Sequence, residues 1–371
     1  MRGQGWILLC GWIFLSHAYA SLPKMKVRIG RNLPKVTVQG IDLQGHFFLK
    51  NETKQYPGKN IIHFNCQKLA NSKKGATLVA SVSSPGGLVS WGNRRYWGDL
   101  MLTTAQDRHS CDLLQNTPME KYISTLLAKE MRGDWPIEAL KAQAVAARTY
   151  AMFQKERNPT GLFALENSEK HQVSGHFFDE TLATSKASSF TKGLILTNKR
   201  GELVPAFFHS KCGGHTFLPE KVWSSPVEGY ESVSCPFCHE HGTKRWEKSI
   251  SPSKIHRLFL AALSPGSSPS SAPRPRLILD QKARGDIRVF WKKKIRKIPR
   301  SFLRKKLGRK EIPSNNFTIH IERDRFVIKG AGLGHGVGMC QFGAFEMAKR
   351  GMNHREILAH YYPQFNIQKG Y

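Results

Sequence analysis

Acidic residues are the scarce class in this sequence. Asp and Glu number 27 against 57 Lys plus Arg in 371 residues, a formal net charge of +30 at pH 7. Such an imbalance points to an anionic partner: nucleic acid, an acidic lipid surface or an acidic polysaccharide. Long apolar runs are also lacking. No stretch of eighteen apolar residues follows residue 20, which excludes a spanning helix there. Collagen-like and heptad patterns are absent as well. Hydrophobic residues still reach 40% and charged residues 23%, so wholesale disorder is excluded and a sizeable core is allowed.

The start of the chain narrows the choice of partner. Met1-Arg2 is a short basic segment, Trp6 to Leu15 is an apolar run of ten, and Ala18-Tyr19-Ala20 has the small-x-small form of a cleavage site. Ten apolar residues are too few to span a bilayer, so residues 1–20 read as a secretory signal peptide. The expectation is an exported protein of the periplasm or cell wall, with no transmembrane anchor after cleavage and no nucleic-acid partner. Six cysteines remain after residue 20: Cys66, Cys111, Cys212, Cys235, Cys238 and Cys340. An oxidising compartment permits disulfides, and Cys66 and Cys111 are the pair without another explanation.

The expected fold class is α+β: a mixed sheet packed with helices around a catalytic cleft, preceded by a β-rich N-terminal part over residues 21–94. Lys26–Ile29, Lys35–Val38 and Thr77–Ala80 read as strands between Gly, Pro and Asn punctuation, and Tyr96–Thr103 as another. A helix begins at Thr117-Pro118-Met119-Glu120, with Thr117 as N-cap and Glu120 closing a capping box. Its apolar face is Met119, Tyr122, Ile123, Leu126 and Leu127, and the next position on that face is Glu130. A carboxyl there is either buried, with a raised pKa that suits a general acid, or lies at a frayed end and reaches water. Pro136 opens a second helix running to about Phe153, dense in alanine, which permits close packing. Within it, Arg148 and Tyr150 are either surface groups or able to reach an anionic ligand.

Residues 194–210 read as two strands with a turn at 198–201, running into His209-Ser210-Lys211-Cys212-Gly213-Gly214-His215. Cys235-Pro236-Phe237-Cys238 follows. Thiolate and imidazole are zinc ligands, and a C-x2-C knuckle gives two sulfurs to one ion. Two ligand sets are open: three cysteines plus a histidine, or His209, Cys212 and His215 with a free position.

Residues 263–275 read as a flexible Pro/Ser-rich insertion. The stretch 292–310 then holds eleven basic residues and no acidic one. Ile295, Ile298, Phe302, Leu303 and Leu307 interleave with the charges, so part of it should be ordered, either as a solvated face or as a platform for a polyanion. Two strands, Phe317–Ile321 and Phe326–Ile328, lead to a loop with five glycines around His335. That loop lacks the Lys-Ser/Thr of a phosphate-binding P-loop. It enters a helix from Gln341 to Arg350 ended by Gly351, and Asn353 with Glu356 caps a last helix.

The segments MEKYISTLLAKEM (119–131), WPIEALKAQAVAARTYA (135–151), FHSKCGGHT (208–216), CPFC (235–238), GLGHGVGMCQFGAFEMAKRG (332–351) and HYYP (360–363) occur in the order of the SpoIID/LytB family of bacterial cell-wall proteins. The resemblance covers residues 95–371, the expected catalytic domain. It implies a lytic transglycosylase that cleaves the bond from N-acetylmuramic acid to N-acetylglucosamine in peptidoglycan, on glycan strands stripped of stem peptides. An amidase that strips those peptides is implied as a partner. The family's catalytic glutamate falls on Glu130, with Arg148, Tyr150, His335 and Gln341 expected to bind the glycan. Zinc is the implied cofactor, with His209, Cys212, His215, Cys235 and Cys238 as candidate ligands. One carboxyl suffices for such a reaction, and the motifs offer no second one: Glu120 is assigned to the cap and Glu138 to a helix dipole. Cys340 departs from the pattern, standing where relatives usually carry serine. The competing readings are a zinc-dependent amidase or hydrolase, and a non-catalytic glycan-binding recruiter.

Overall fold

The computed structural model describes residues 23–48, 52–56, 60–70, 76–105, 107, 109–168, 171–223, 225–239, 245–264, 275–278 and 285–371. The expected signal peptide and residues 265–274 of the expected insertion lie outside the described residues. The fold is α+β, organised by three apolar cores. Among the described residues no helix is long and apolar enough to cross a membrane.

The first core lies between two sheets. A seven-stranded sheet runs in the order Leu165–Glu166, Lys24–Leu33, Cys111–Pro118, Asp99–Thr104, Leu78–Ser83, Leu43–Phe47, Glu52–Tyr56. A four-stranded sheet runs Ile61–Asn65, Lys35–Gln39, Leu88–Trp91, Arg94–Trp97. Alternation explains the packing: in Lys35–Gln39 the valines Val36 and Val38 turn inward and their neighbours outward. They meet Phe64, Val82, Leu100 and Leu113. The sheet does not stop at residue 94, because Asp99–Thr104 and Cys111–Pro118 are among its inner strands. The strand expected at 96–103 is two strands, which belong to different sheets and part at Gly98. Cys66 and Cys111 form a disulfide with Cα atoms 5.3 Å apart, across a sequence separation of 45. Closing a loop of that length removes about 4 kcal/mol of unfolded-chain entropy.

The second core is helical. Helix Met119–Glu130 leaves the end of strand Cys111–Pro118 and buries the expected face, Met119, Tyr122, Ile123, Leu126 and Leu127. Helix Ile137–Arg157 is buried on all sides through its middle, which its run of alanines allows. Helices Leu182–Phe190, Gln341–Lys349 and His354–Tyr361 surround it. The last is closed by the expected capping box of Asn353 and Glu356.

The start of the first helix differs from expectation. Pro118 is the N-cap and no side chain caps it. Thr117 is a buried strand residue, and Glu120 turns away to meet Arg148. Arg148 does not reach a ligand site. It is 0% exposed, with Nη2 and Nε donating to the Glu120 carboxylate at 2.5 and 3.1 Å. Its remaining donors bond the carbonyls of Leu194 at 3.1 Å and Ser188 at 3.2 Å. Burial pushes the Glu120 carboxyl up, but the charge and hydrogen bonds of Arg148, with hydrogen bonds from Tyr371 and Ser188, together outweigh it and hold the group below its ordinary value.

The third core is built by residues 245–331. Strands Arg245–Ile250, Arg325–Ala331 and Phe317–Glu322 form one sheet, and Arg276–Leu277, Ile287–Trp291 and Lys294–Ile298 another. Helices Pro252–Leu263 and Arg300–Leu307 complete it. The basic run is therefore folded: Ile298 and Leu303 enter the core, Phe302 and Leu307 pack on it, and Ile295 stays exposed.

The buried ion pair yields a prediction. Arg148→Ala leaves the Glu120 carboxylate without its charge partner and should cost about 3–5 kcal/mol in denaturant unfolding. Because the folded pKa of Glu120 is lowered, the pair's contribution is present above the unfolded value and lost as pH falls through the folded one. The variant should lack that acid-side loss. A cost below 1 kcal/mol would show that the pair is not a structural support.

Candidate active site

A cavity of about 1340 Å³ opens between the second and third cores. From the helical side it is lined by Glu130, Tyr150, Phe207, His209, His335 and Gln341. From the basic run it is lined by Lys297, Arg304, Lys305 and Arg309. Four of the five residues expected to act on the glycan thus meet at one place: Glu130, Tyr150, His335 and Gln341. Arg148 does not join them.

Glu130 ends its helix, and its carboxyl faces the cavity instead of bulk water. Burial pushes this carboxyl above its ordinary value. Gln341 Nε2, donating to Oε2 at 3.2 Å, and the backbone N–H of Val173 act in the opposite sense but do not cancel it. The amide donors fix the carboxyl's orientation without supplying a cation. The other carboxylate on the cavity wall, Glu228, is solvent-exposed and paired with Arg200 at 3.0 Å.

Gln341 is placed by the glycine-rich loop. Strand Met339–Cys340 pairs in parallel with Phe208–His209, and Gly338 must precede it. Gly338 has φ +69°, and a Cβ there would lie 2.0 Å from the Phe207 carbonyl oxygen, so only glycine fits. The same loop sets two imidazoles side by side, His209 and His335, with ring centroids 5.5 Å apart. Burial lowers the pKa of His209 to about 4, and burial with His209 beside it lowers that of His335 well below its ordinary value. Both rings are neutral near pH 7. Val337 fixes their tautomers. Its N–H donates to His335 Nδ1 at 3.1 Å, so the His335 proton sits on Nε2. Its carbonyl lies 3.1 Å from His209 Nδ1, which must then donate and leave Nε2 as an acceptor. That Nε2 is buried and has no hydrogen-bond partner among the described residues. The Tyr150 phenol, raised by burial, keeps its proton as a donor.

The expected zinc ligands separate into two places. Cys212, Cys235 and Cys238 come together, joined by Cys340, with all four sulfurs within 4.8 Å of one another. Among the described residues this is the one group of His, Cys, Asp or Glu gathered closely enough to hold a metal ion. His209 belongs to the cavity, and His215 lies outside the group. The set of His209, Cys212 and His215 therefore does not fit a metal, whereas four thiols do. None of the four cysteines lines the cavity.

Two aromatic residues were missed by sequence reasoning. Phe207 and Trp223 lie with ring centroids 4.4 Å apart, Trp223 is 5.1 Å from His335, and both face the cavity. Trp223 sits in a four-residue helix, Glu220–Trp223, outside every recognised motif. Phe207 read only as part of a strand. The basic side chains were legible as a run, but their place on the cavity wall was not.

The sequence is similar to several known proteins. Residues 107–198 match the family model for the stage II sporulation protein SpoIID. An uncharacterised protein of Brachyspira hyodysenteriae is 33% identical over 282 residues, 73% of this chain and 72% of that protein. Stage II sporulation protein D of Bacillus subtilis is 28% identical over 279 residues, covering 69% of this chain and 76% of that one. The amidase enhancer of Bacillus subtilis is 26% identical over 283 residues, 64% of this chain but 39% of that longer protein. With these motifs in family order and these relatives spanning most of the sequence, the chain belongs to the SpoIID/LytB family.

Proposed function

We propose that the protein is an exported lytic transglycosylase that cleaves the bond between N-acetylmuramic acid and N-acetylglucosamine in peptidoglycan. Its preferred substrate is glycan without stem peptides, and its setting is wall remodelling in sporulation or division. The observation that carries this reading is Glu130: a desolvated carboxyl of raised pKa, held by amide donors in a large open cavity. The amidase enhancer named above is a different and longer protein, and an amidase partner here rests on the substrate alone.

The chemistry needs one carboxyl. Protonated Glu130 gives its proton to the glycosidic oxygen as the bond to the muramic acid C1 breaks, and an oxocarbenium-like centre develops. The resulting carboxylate takes the proton of that sugar's C6 hydroxyl while O6 bonds to C1. The products are a 1,6-anhydro end and a free hydroxyl on the leaving sugar. No water is consumed, and Glu130 regains its proton. The Tyr150 phenol can donate to a sugar hydroxyl. The faces of Trp223 and Phe207 suit the apolar faces of sugar rings. Glycan without peptides exposes a lactyl carboxylate on each muramic acid, which suits Lys297, Lys305 and Arg309 on the facing wall. The zinc-amidase reading finds less support, because four thiolates would saturate a zinc ion and leave no open position for water.

Glu130→Gln should lower turnover by about 10²–10⁴-fold on peptide-free glycan, and wild-type products should end in 1,6-anhydro-muramic acid by mass spectrometry. Reducing ends or released peptides would instead identify a hydrolase or an amidase. No product from denuded strands or intact sacculi would leave a glycan-binding protein.

The acid form of Glu130 is the active one for the first proton transfer. Activity should therefore fall as pH rises through its raised pKa. Gln341→Ala removes a donor that favours the charged form and should move this alkaline limb to higher pH while lowering kcat. An unmoved limb would mean that Gln341 does not act on Glu130.

Lys297→Ala with Lys305→Ala should raise KM several-fold at low ionic strength and leave kcat nearly unchanged. The difference should shrink by about 1 M salt, where the screening length is roughly 3 Å. A KM equal to that of wild type at low salt would remove the basic wall from substrate binding.

A further inference from the structure

We propose that Cys212, Cys235, Cys238 and Cys340 bind one zinc ion as a closed four-thiolate site that fixes the start of the helix carrying Gln341. The clause about Gln341 rests on the function proposed for Glu130; the metal site itself does not.

The four sulfurs come from three separate segments. Cys212 follows strand Phe208–His209, Cys235 precedes the turn Pro236–His239 and Cys238 lies within it, and Cys340 is the N-cap of helix Gln341–Lys349. All four are buried and unbridged, in a chain whose other described cysteines form a disulfide. A tetrahedral zinc ion with bonds of about 2.3 Å sets its sulfurs roughly 3.8 Å apart. The observed group lies within 4.8 Å, and its Cys212–Cys238 pair is at 3.5 Å. Small inward movements close it on an ion.

The surroundings suit thiolates. The backbone N–H groups of Cys212 and Gly343 each point at Cys340 Sγ at 3.4 Å. Gly214 N–H points at Cys212 Sγ at 3.4 Å, and the Tyr361 hydroxyl lies 3.0 Å from Cys235 Sγ. Donors aimed at sulfur form the outer shell that orients metal-bound thiolates. The helix start at Cys340 adds partial positive charge. Gly343 makes the approach possible, because a Cβ there would lie 1.9 Å from Tyr361 Oη and 2.7 Å from Cys235 Sγ.

With four sulfurs the ion has no open position, so its role is structural. It would join the loop after His209 to the residue directly before Gln341. Metal loss should then loosen the two segments that present His209 and Gln341 to the cavity.

The test uses the full chain produced with zinc in the medium. Elemental analysis should find one zinc per chain, and four thiols should titrate only after denaturation with a chelator. Cobalt substitution should give the absorption of a tetrahedral four-thiolate centre. That spectrum reads the ligand set in the wild-type chain and does not depend on any variant folding. Cys340→Ser should lose the zinc, and His215→Ala should keep it. The proposal is overturned by sub-stoichiometric metal, by two further disulfides among these cysteines, or by a cobalt spectrum with fewer than four sulfurs. It is equally overturned if His215→Ala releases the metal while Cys340→Ser retains it. Zinc removal should lower turnover on denuded glycan without changing the product end group, and unchanged turnover would overturn the link to Gln341. A zinc-loaded chain inactive on glycan would refute the function proposed for Glu130 and leave the metal site standing.

Discussion

The short parallel pairing of Phe208–His209 with Met339–Cys340 is the contact on which the site depends. It brings together two segments about 130 residues apart in sequence. Hydrogen bonds from Met339 N–H to the Phe207 carbonyl and from Phe342 N–H to the Ser210 carbonyl, both 3.1 Å, hold it in register. In that register His209 faces the cavity, Cys340 lies beside Cys212, and Gln341 reaches Glu130. A shift by one residue would turn each of these side chains to the wrong face. The positive φ angles at Gly332, Gly334, Gly336 and Gly338 let the loop lie flat against its partner and hold this register.

One helix carries two glutamates with opposite fates. Glu120, in the first turn, meets Arg148 and a Ser188 hydroxyl and is held ionised. Glu130, at the last turn, meets amide donors and a dry wall, and burial raises it. The strongly basic character of the chain does not decide either case. The guanidinium beside Glu120 is in direct contact. Burial and two amide donors, and not the cations on the facing cavity wall, set the Glu130 carboxyl. Environment thus divides the roles of two identical side chains, one structural and one suited to moving a proton.

Much of this was legible in the sequence where the signal was local. The 3- and 4-residue spacing from Met119 to Leu127 located Glu130 on a buried face, and Asn353 with Glu356 announced a real capping box. The same local rule failed at Thr117 and Glu120. Their spacing mimics a cap, but Thr117 is held in a strand and Arg148 offers Glu120 a stronger partner. Arg148 was misjudged for the converse reason: its partner lies in another helix, 28 residues away. The four-cysteine cluster was half legible. C-x2-C and Cys212 show in the sequence, but Cys340 becomes a neighbour only through the parallel pairing, so its place in a motif usually written with serine looked like a departure. Trp223 gave no signal because its role comes from neighbours in space.

The basic run is the feature in which composition and architecture meet. Its apolar residues Ile298 and Leu303 anchor it in the third core, so its charges are held on a folded wall and not on a loose tail. A fixed wall of positive charge can align an anionic strand along the cavity, which a flexible segment would do at a greater entropic cost. On the proposed function, however, that wall cannot distinguish substrate from product. Cleavage to a 1,6-anhydro end leaves every lactyl carboxylate in place, so the electrostatic attraction is the same before and after the reaction. Selectivity for the bond to be broken must then come from the other wall, where Glu130, Gln341 and Tyr150 present one acid and oriented hydrogen-bonding groups. On that reading the basic wall would contribute binding shared by substrate and transition state, and the neutral wall what differs between them.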